Sequence, residues 1–135
     1  MHKHIIAILA IASLAFNTGA LAQSMSMSEY KAAEKNIATE YKSAKANCAS
    51  FAGNPKDICM AEAKGKRSVA KIELKTRFKP TRKSDYEISV AKAQADYAVA
   101  KEKCDDRAGK TKKACVKEAK AALARAISDA KEQLR

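Results

Sequence analysis

Two cysteines eleven residues apart with a glycine between them, Cys48…Gly53…Cys59, recur at the same spacing as Cys104…Gly109…Cys115. The offset is 56 residues, and sliding Glu29–Lys79 onto Asp85–Arg135 needs no gap. Tyr30 falls on Tyr86, Tyr41 on Tyr97, Ala44-Lys45 on Ala100-Lys101, and Glu62-Ala63-Lys64 on Glu118-Ala119-Lys120. A gapless register that keeps both cysteines and the glycine marks an internal duplication, which shared Ala/Lys composition does not explain. The chain must therefore fold as two copies of one small unit.

The periodicity says what that unit is. In the first copy Tyr30, Ala33, Ile37, Tyr41, Ala44 and Cys48 step by three and four, as one stripe of a helix does, and Tyr86, Val90, Ala93, Tyr97, Ala100 and Cys104 repeat the pattern. The return segments carry Ile58, Ala61, Gly65, Ser68 and Ile72, then Val116, Ala119, Leu123, Ile127, Ala130 and Leu134; the first of these stripes is the poorer. Gly53 suits a left-handed helix end, Asn54 is a candidate cap for the next helix, and Pro55 fits its first turn. In the second copy Gly109 and Thr111 take those places. Between the copies Pro80 stops a helix, and Ser84 with Glu87 has the spacing of a capping box.

The turns decide how the cysteines can pair. In one unbroken helix a spacing of eleven would hold them roughly 16 Å apart, too far for a disulfide. In a hairpin turning at the glycine they lie at the same height, and the many alanines let the helices approach closely enough. Local pairing, Cys48 with Cys59 and Cys104 with Cys115, closes short loops and survives duplication of a single hairpin. The rival, Cys48–Cys115 with Cys59–Cys104, ties one copy to the other, and sequence alone leaves three connectivities open.

Disulfides presuppose export, and the N-terminus supplies it. Residues 1–22 have a basic start (His2, Lys3, His4), an apolar run from Ile5 to Phe16 that is short for a membrane span, and a small-x-small site at Ala20-Leu21-Ala22. They read as a cleaved secretory signal peptide, with an uncleaved anchor helix as the alternative. Position 23 is Gln and not Cys, so no lipoprotein anchor is expected there, and no later segment is apolar enough to span a membrane. Four cysteines in an exported chain point to two disulfides. Zinc is disfavoured: the spacing is not that of a zinc site, and both histidines leave with the signal peptide. The expected domains are a first hairpin over 23–79, a linker over 80–84 and a second hairpin over 85–135.

Charge is the other informative feature. The chain has 27 Lys+Arg against 15 Asp+Glu, a net charge of +12; cleavage removes one cation, Lys3, and no acid, leaving +11. From Lys64 to Lys83 there are nine basic residues and one acid, Glu73, and Lys64, Arg67, Lys71 and Lys75 fall on one helical face. A second cluster, Arg107, Lys110, Lys112 and Lys113, lies at the other hairpin tip. The bland reading is a solvated face laced by pairs such as Glu62–Lys66 and Glu73–Arg77. The functional reading is an anion-binding surface formed by Lys64, Arg67, Lys71, Lys75, Arg77, Lys79, Arg82 and Lys83.

Catalysis finds little support. Without the signal peptide there is no histidine, no glycine-rich phosphate loop, no C-x-x-C and no apolar setting to raise a carboxyl pKa, so no enzyme activity, metal or cofactor is expected.

The units Tyr41…Lys45…Cys48…Gly53…Cys59…Glu62-Ala63-Lys64 and Tyr97…Lys101…Cys104…Gly109…Cys115…Glu118-Ala119-Lys120 resemble those of small exported proteins of Gram-negative bacteria, often labelled TolA-like or cell-envelope-biogenesis proteins. That resemblance implies a periplasmic location and supplies no site residues. Twin C-x9-C hairpins of the mitochondrial intermembrane space are also similar, but they differ in spacing, and the signal peptide argues against them.

Together these features lead to an all-α protein of two tandem disulfide-pinned antiparallel helical hairpins, either docked as a four-helix bundle or left as two loosely docked units. The expected function is non-enzymatic: a basic helical surface binding an anionic envelope polymer, lipid headgroups or an acidic protein. The alternative is a small periplasmic chaperone-like or stress-protective module that binds other exported proteins through helix faces. Export argues against nucleic acid as the partner.

Overall fold

The computed structural model describes residues 24–135. The expected signal peptide, residues 1–22, lies outside them. Four helices follow in order: α1 (Met27–Cys48), α2 (Gly53–Phe78), α3 (Ser84–Lys103) and α4 (Gly109–Glu132), with a single 3-10 turn, Cys104–Asp106, between the last two. Each copy is an antiparallel hairpin. Cys48 is bonded to Cys59 and Cys104 to Cys115, with Cα atoms 5.6 and 5.7 Å apart, so the pairing is local in both copies. The turning glycines adopt the left-handed conformation the hairpin requires, with φ of 60° at Gly53 and 55° at Gly109.

The two hairpins dock on each other. Packing runs in chain order, α1 on α2, α2 on α3 and α3 on α4, and the α2–α3 contact between the copies is the most extensive. Among the described residues α1 and α4 share no packing of comparable extent, so the helices stand in an open row and do not close into a square bundle. Both disulfide-pinned tips lie at one end of this row, and the Lys79–Lys83 turn lies at the other.

Position in the row explains burial. α1 and α4 have one neighbour each and bury only Cys48 and Ala130. The inner helices have two: α2 buries Ala61, Ala63 and Gly65, α3 buries Ala91 and Ala93, and residues two apart on a helix point to nearly opposite sides. The α2 stripe read from the sequence, Ile58, Ala61, Gly65 and Ile72, therefore sits on the side facing α3, with Ser68 exposed. A second stripe, Ala63, Arg67 and Ala70, meets Ile37, Tyr41 and Ala44 of α1. A row one helix thick also has two open faces. Among the described residues Leu74 is the only Leu, Ile, Val, Met or aromatic side chain that is buried, whereas Val69, Ile72, Ile88, Val99 and Ile127 are half-buried.

The helix ends differ from the sequence expectation. α2 begins at Gly53 after an extended Ala52, and α4 at Gly109 after Ala108, so Asn54 and Thr111 lie inside the first turns and cap nothing. Ser84 does not form a capping box with Glu87. Its Oγ accepts the Thr81 backbone N–H at 2.8 Å, while the Glu87 N–H donates to the Lys83 carbonyl. A complete capping box stands instead at α1: the Glu29 N–H donates to Ser26 Oγ and the Ser26 N–H to the Glu29 carboxylate at 2.7 Å. That bond from the Ser26 backbone, and then the Ser26 side chain, hold the Glu29 carboxyl below its ordinary pKa. Replacing Ser26 with Ala is expected to cost about 1 kcal/mol, read as a lower urea midpoint with an unchanged slope.

Candidate functional site

α2 presents four different sides, set by about 100° of rotation per residue. One packs on α1 and one on α3. Of the remaining two, the first carries Glu62, Lys66, Val69 and Glu73, which line a groove against α3. Half a turn away, Lys64, Lys71 and Lys75 occupy the opposite face of the row, all exposed.

This geometry divides the basic residues read from the sequence. Lys64, Lys71 and Lys75 stay together. Lys79, Arg82 and Lys83 are exposed at the α2–α3 turn that continues from them, where the Lys79 ammonium lies 5.8 Å from the Phe78 ring centre. Arg67 leaves the set: its guanidinium lies over the Tyr41 ring at 4.7 Å and its Nε is buried, a cation–π contact that ties α2 to α1. Arg77 also points elsewhere, lining a cavity with Ala33 and Asn36 of α1. A sequence signal for Arg67 did exist. In the repeat register it aligns with Leu123, which lines the contact with Tyr97 in the second hairpin.

Among the described residues, ion pairs within 4.0 Å are Lys75–Glu87 at 3.5 Å, Lys92–Glu73 at 3.1 Å and Lys112–Asp105 at 3.1 Å. The helix pairs Glu62–Lys66 and Glu73–Arg77 are not among them; Glu73 reaches instead across to Lys92 on α3. Among the described residues, Lys75 alone of the exposed cations on this face and turn has a carboxylate partner within 4.0 Å.

Comparison of the chain with protein-family models, curated proteins and solved structures finds no match. What the molecule itself shows is a small all-helical protein with two disulfides, each joining the two helices of a hairpin.

The groove is the second feature. It measures about 860 Å³, and its floor is small and apolar: Gly65, Val69 and Ala70 from α2, Ala95, Val99 and Ala100 from α3. The two helices come close because Gly65 has no side chain: a Cβ there would stand 2.9 Å from the Ala95 Cβ. The sulfurs offer no chemistry in this state. All four are bonded, and Cys48 and Cys104 are each 1% exposed. Among the described residues no three His, Cys, Asp or Glu side chains gather as a metal-ligand set, and no helix is long and apolar enough to cross a membrane.

Proposed function

We propose that this protein is a non-enzymatic component of the bacterial periplasm that attaches to anionic surfaces of the envelope through one face of its helical row. The observation that carries the reading is the group Lys64, Lys71, Lys79, Arg82 and Lys83, exposed and without carboxylate partners within 4.0 Å among the described residues. Such cations keep their full attraction for phosphate and carboxylate groups and release counterions on binding. Two further features support the setting. The disulfides suit an oxidising compartment outside the cytoplasm, and the repeated Cys-Gly-Cys units resemble those of exported TolA-like proteins. The anionic partner is an envelope polymer, a lipid headgroup layer or an acidic protein, and the arrays of phosphates on lipid headgroups or lipopolysaccharide suit a row of lysines best.

Co-sedimentation with vesicles tests this. Binding is expected to phosphatidylglycerol vesicles and to lipopolysaccharide, not to phosphatidylcholine, and is expected to fall away as salt rises from about 0.1 to 1 M and screening shortens to about 3 Å. The triple variant Lys64→Glu/Lys71→Glu/Lys79→Glu is expected to bind at least about tenfold more weakly, since each cation near an anionic surface contributes about 1 kcal/mol. Attachment that persists unchanged at high salt would sink the electrostatic reading. It would favour a helper that binds exported proteins through apolar helix faces.

A further inference from the structure

We propose that the α2–α3 groove is covered by the same groove of a second copy of this chain, so that α2, α3 and their counterparts form a four-helix core in a symmetric dimer. The inference is independent of the anion-binding reading and concerns the opposite face of the row.

Burial is the first reason. A layer one helix thick leaves Val69 and Val99 half-buried over a groove of about 860 Å³ floored by glycine and alanine. Stacking a second helix pair on such a groove is how four-helix bundles complete their cores.

Charge chooses the occupant. The groove rim carries three acids and three lysines, so it is neutral in a chain of net charge +12. An anionic ligand gains nothing there. Two basic copies, in contrast, meet with least repulsion on this strip, with their lysine faces turned outward.

The order of the signs chooses the symmetry. Running away from the disulfide tips, the α2 wall reads Glu62, Lys66, Glu73 and the α3 wall reads Lys103, Asp96, Lys92. A two-fold axis along the groove lays each α2 wall over the partner's α3 wall. Glu62 then faces Lys103, Lys66 faces Asp96 and Glu73 faces Lys92, and every neighbouring helix pair is antiparallel. An axis across the groove instead sets Glu62 over Glu73 and Lys92 over Lys103, which is repulsive. The rim thus selects one pairing and opposes the other.

Lys66 and Asp96 provide the test, because both are exposed and, among the described residues, neither takes part in an ion pair, so reversing either is expected to leave the fold intact. Light scattering and sedimentation over a concentration series of the oxidised protein are expected to show a monomer–dimer equilibrium. Lys66→Glu and Asp96→Lys, each verified by helical circular dichroism and intact disulfides, are each expected to weaken dimerisation at least about tenfold, since each puts like charges together twice. Mixing the two variants is expected to restore a heterodimer. In that species the two reversed charges meet at one pair and the native Lys66 and Asp96 meet at the other. A single-chain mass at every concentration overturns the proposal. So does a dimer indifferent to both substitutions, which would place the interface elsewhere, or a mixture that stays monomeric, which would refute the pairing.

Discussion

Reduction of both disulfides is expected to unfold the protein under conditions in which the oxidised form is stable. Each bridge spans a sequence separation of 11, and closing a loop of that size stabilises the folded state by about 3 kcal/mol through the unfolded chain. Two bridges together contribute about 6 kcal/mol, comparable to the whole stability of many small domains, about 5–15 kcal/mol. Little else compensates here, since among the described residues Leu74 is the only large apolar side chain that is buried. Urea unfolding followed by circular dichroism, with and without reductant, measures the effect. The single-bridge variant Cys48→Ala/Cys59→Ala is expected to lose about half of it. A urea midpoint that reductant leaves unmoved would show that helix packing, and not the bridges, holds the hairpins together.

Replacing Gly65 with Leu is expected to undock the two hairpins while leaving each pinned by its own disulfide. A Cβ alone at this position would lie 2.9 Å from the Ala95 Cβ, and a leucine adds three more carbons where α2 and α3 cross. Overpacking of this kind costs about 3 kcal/mol, and leucine's good helix propensity means the loss reports on the contact between helices. Faster proteolysis within the Lys79–Lys83 turn, with helix content retained, is the expected signature. The milder Gly65→Ala is also expected to destabilise, although alanine favours helix over glycine by about 1 kcal/mol. Adding Ala95→Gly, which moves the missing methyl to the other helix, should partly restore stability. If Gly65→Leu left both stability and proteolysis unchanged, the close α2–α3 crossing would not be what docks the copies.

Legibility in the sequence followed interaction range. The hairpins and their disulfides could be read because glycine, cysteine and the three-four spacing act within some dozen residues. Asn54, Thr111 and Ser84 are cap-like residues in the sequence but cap no helix, because the helix starts lie a few residues earlier and a neighbouring turn claims the Ser84 hydroxyl. The basic surface was legible as composition but not as a set of residues. Helical spacing put Arg67 with Lys64, Lys71 and Lys75, yet the Tyr41 ring draws it between α1 and α2, and Arg77 turns to the other side of the row.

The duplicated Cys48…Gly53…Cys59 and Cys104…Gly109…Cys115 units thus determined by themselves that the chain is helical and made of two hairpins, and they favoured local bridges over the two other connectivities. Chain geometry near a glycine turn brings each pair to the same height, and the structure then joins Cys48 to Cys59 and Cys104 to Cys115. Only the tertiary structure decided that the hairpins dock through α2 and α3 into an open row, and that this row sets a lysine face on one side and a neutral apolar groove on the other. Those outcomes depend on which helix finds which neighbour across 30 residues of sequence between Gly65 and Ala95. A periodic Ala/Lys pattern, nearly alike on several sides of each helix, does not encode that choice.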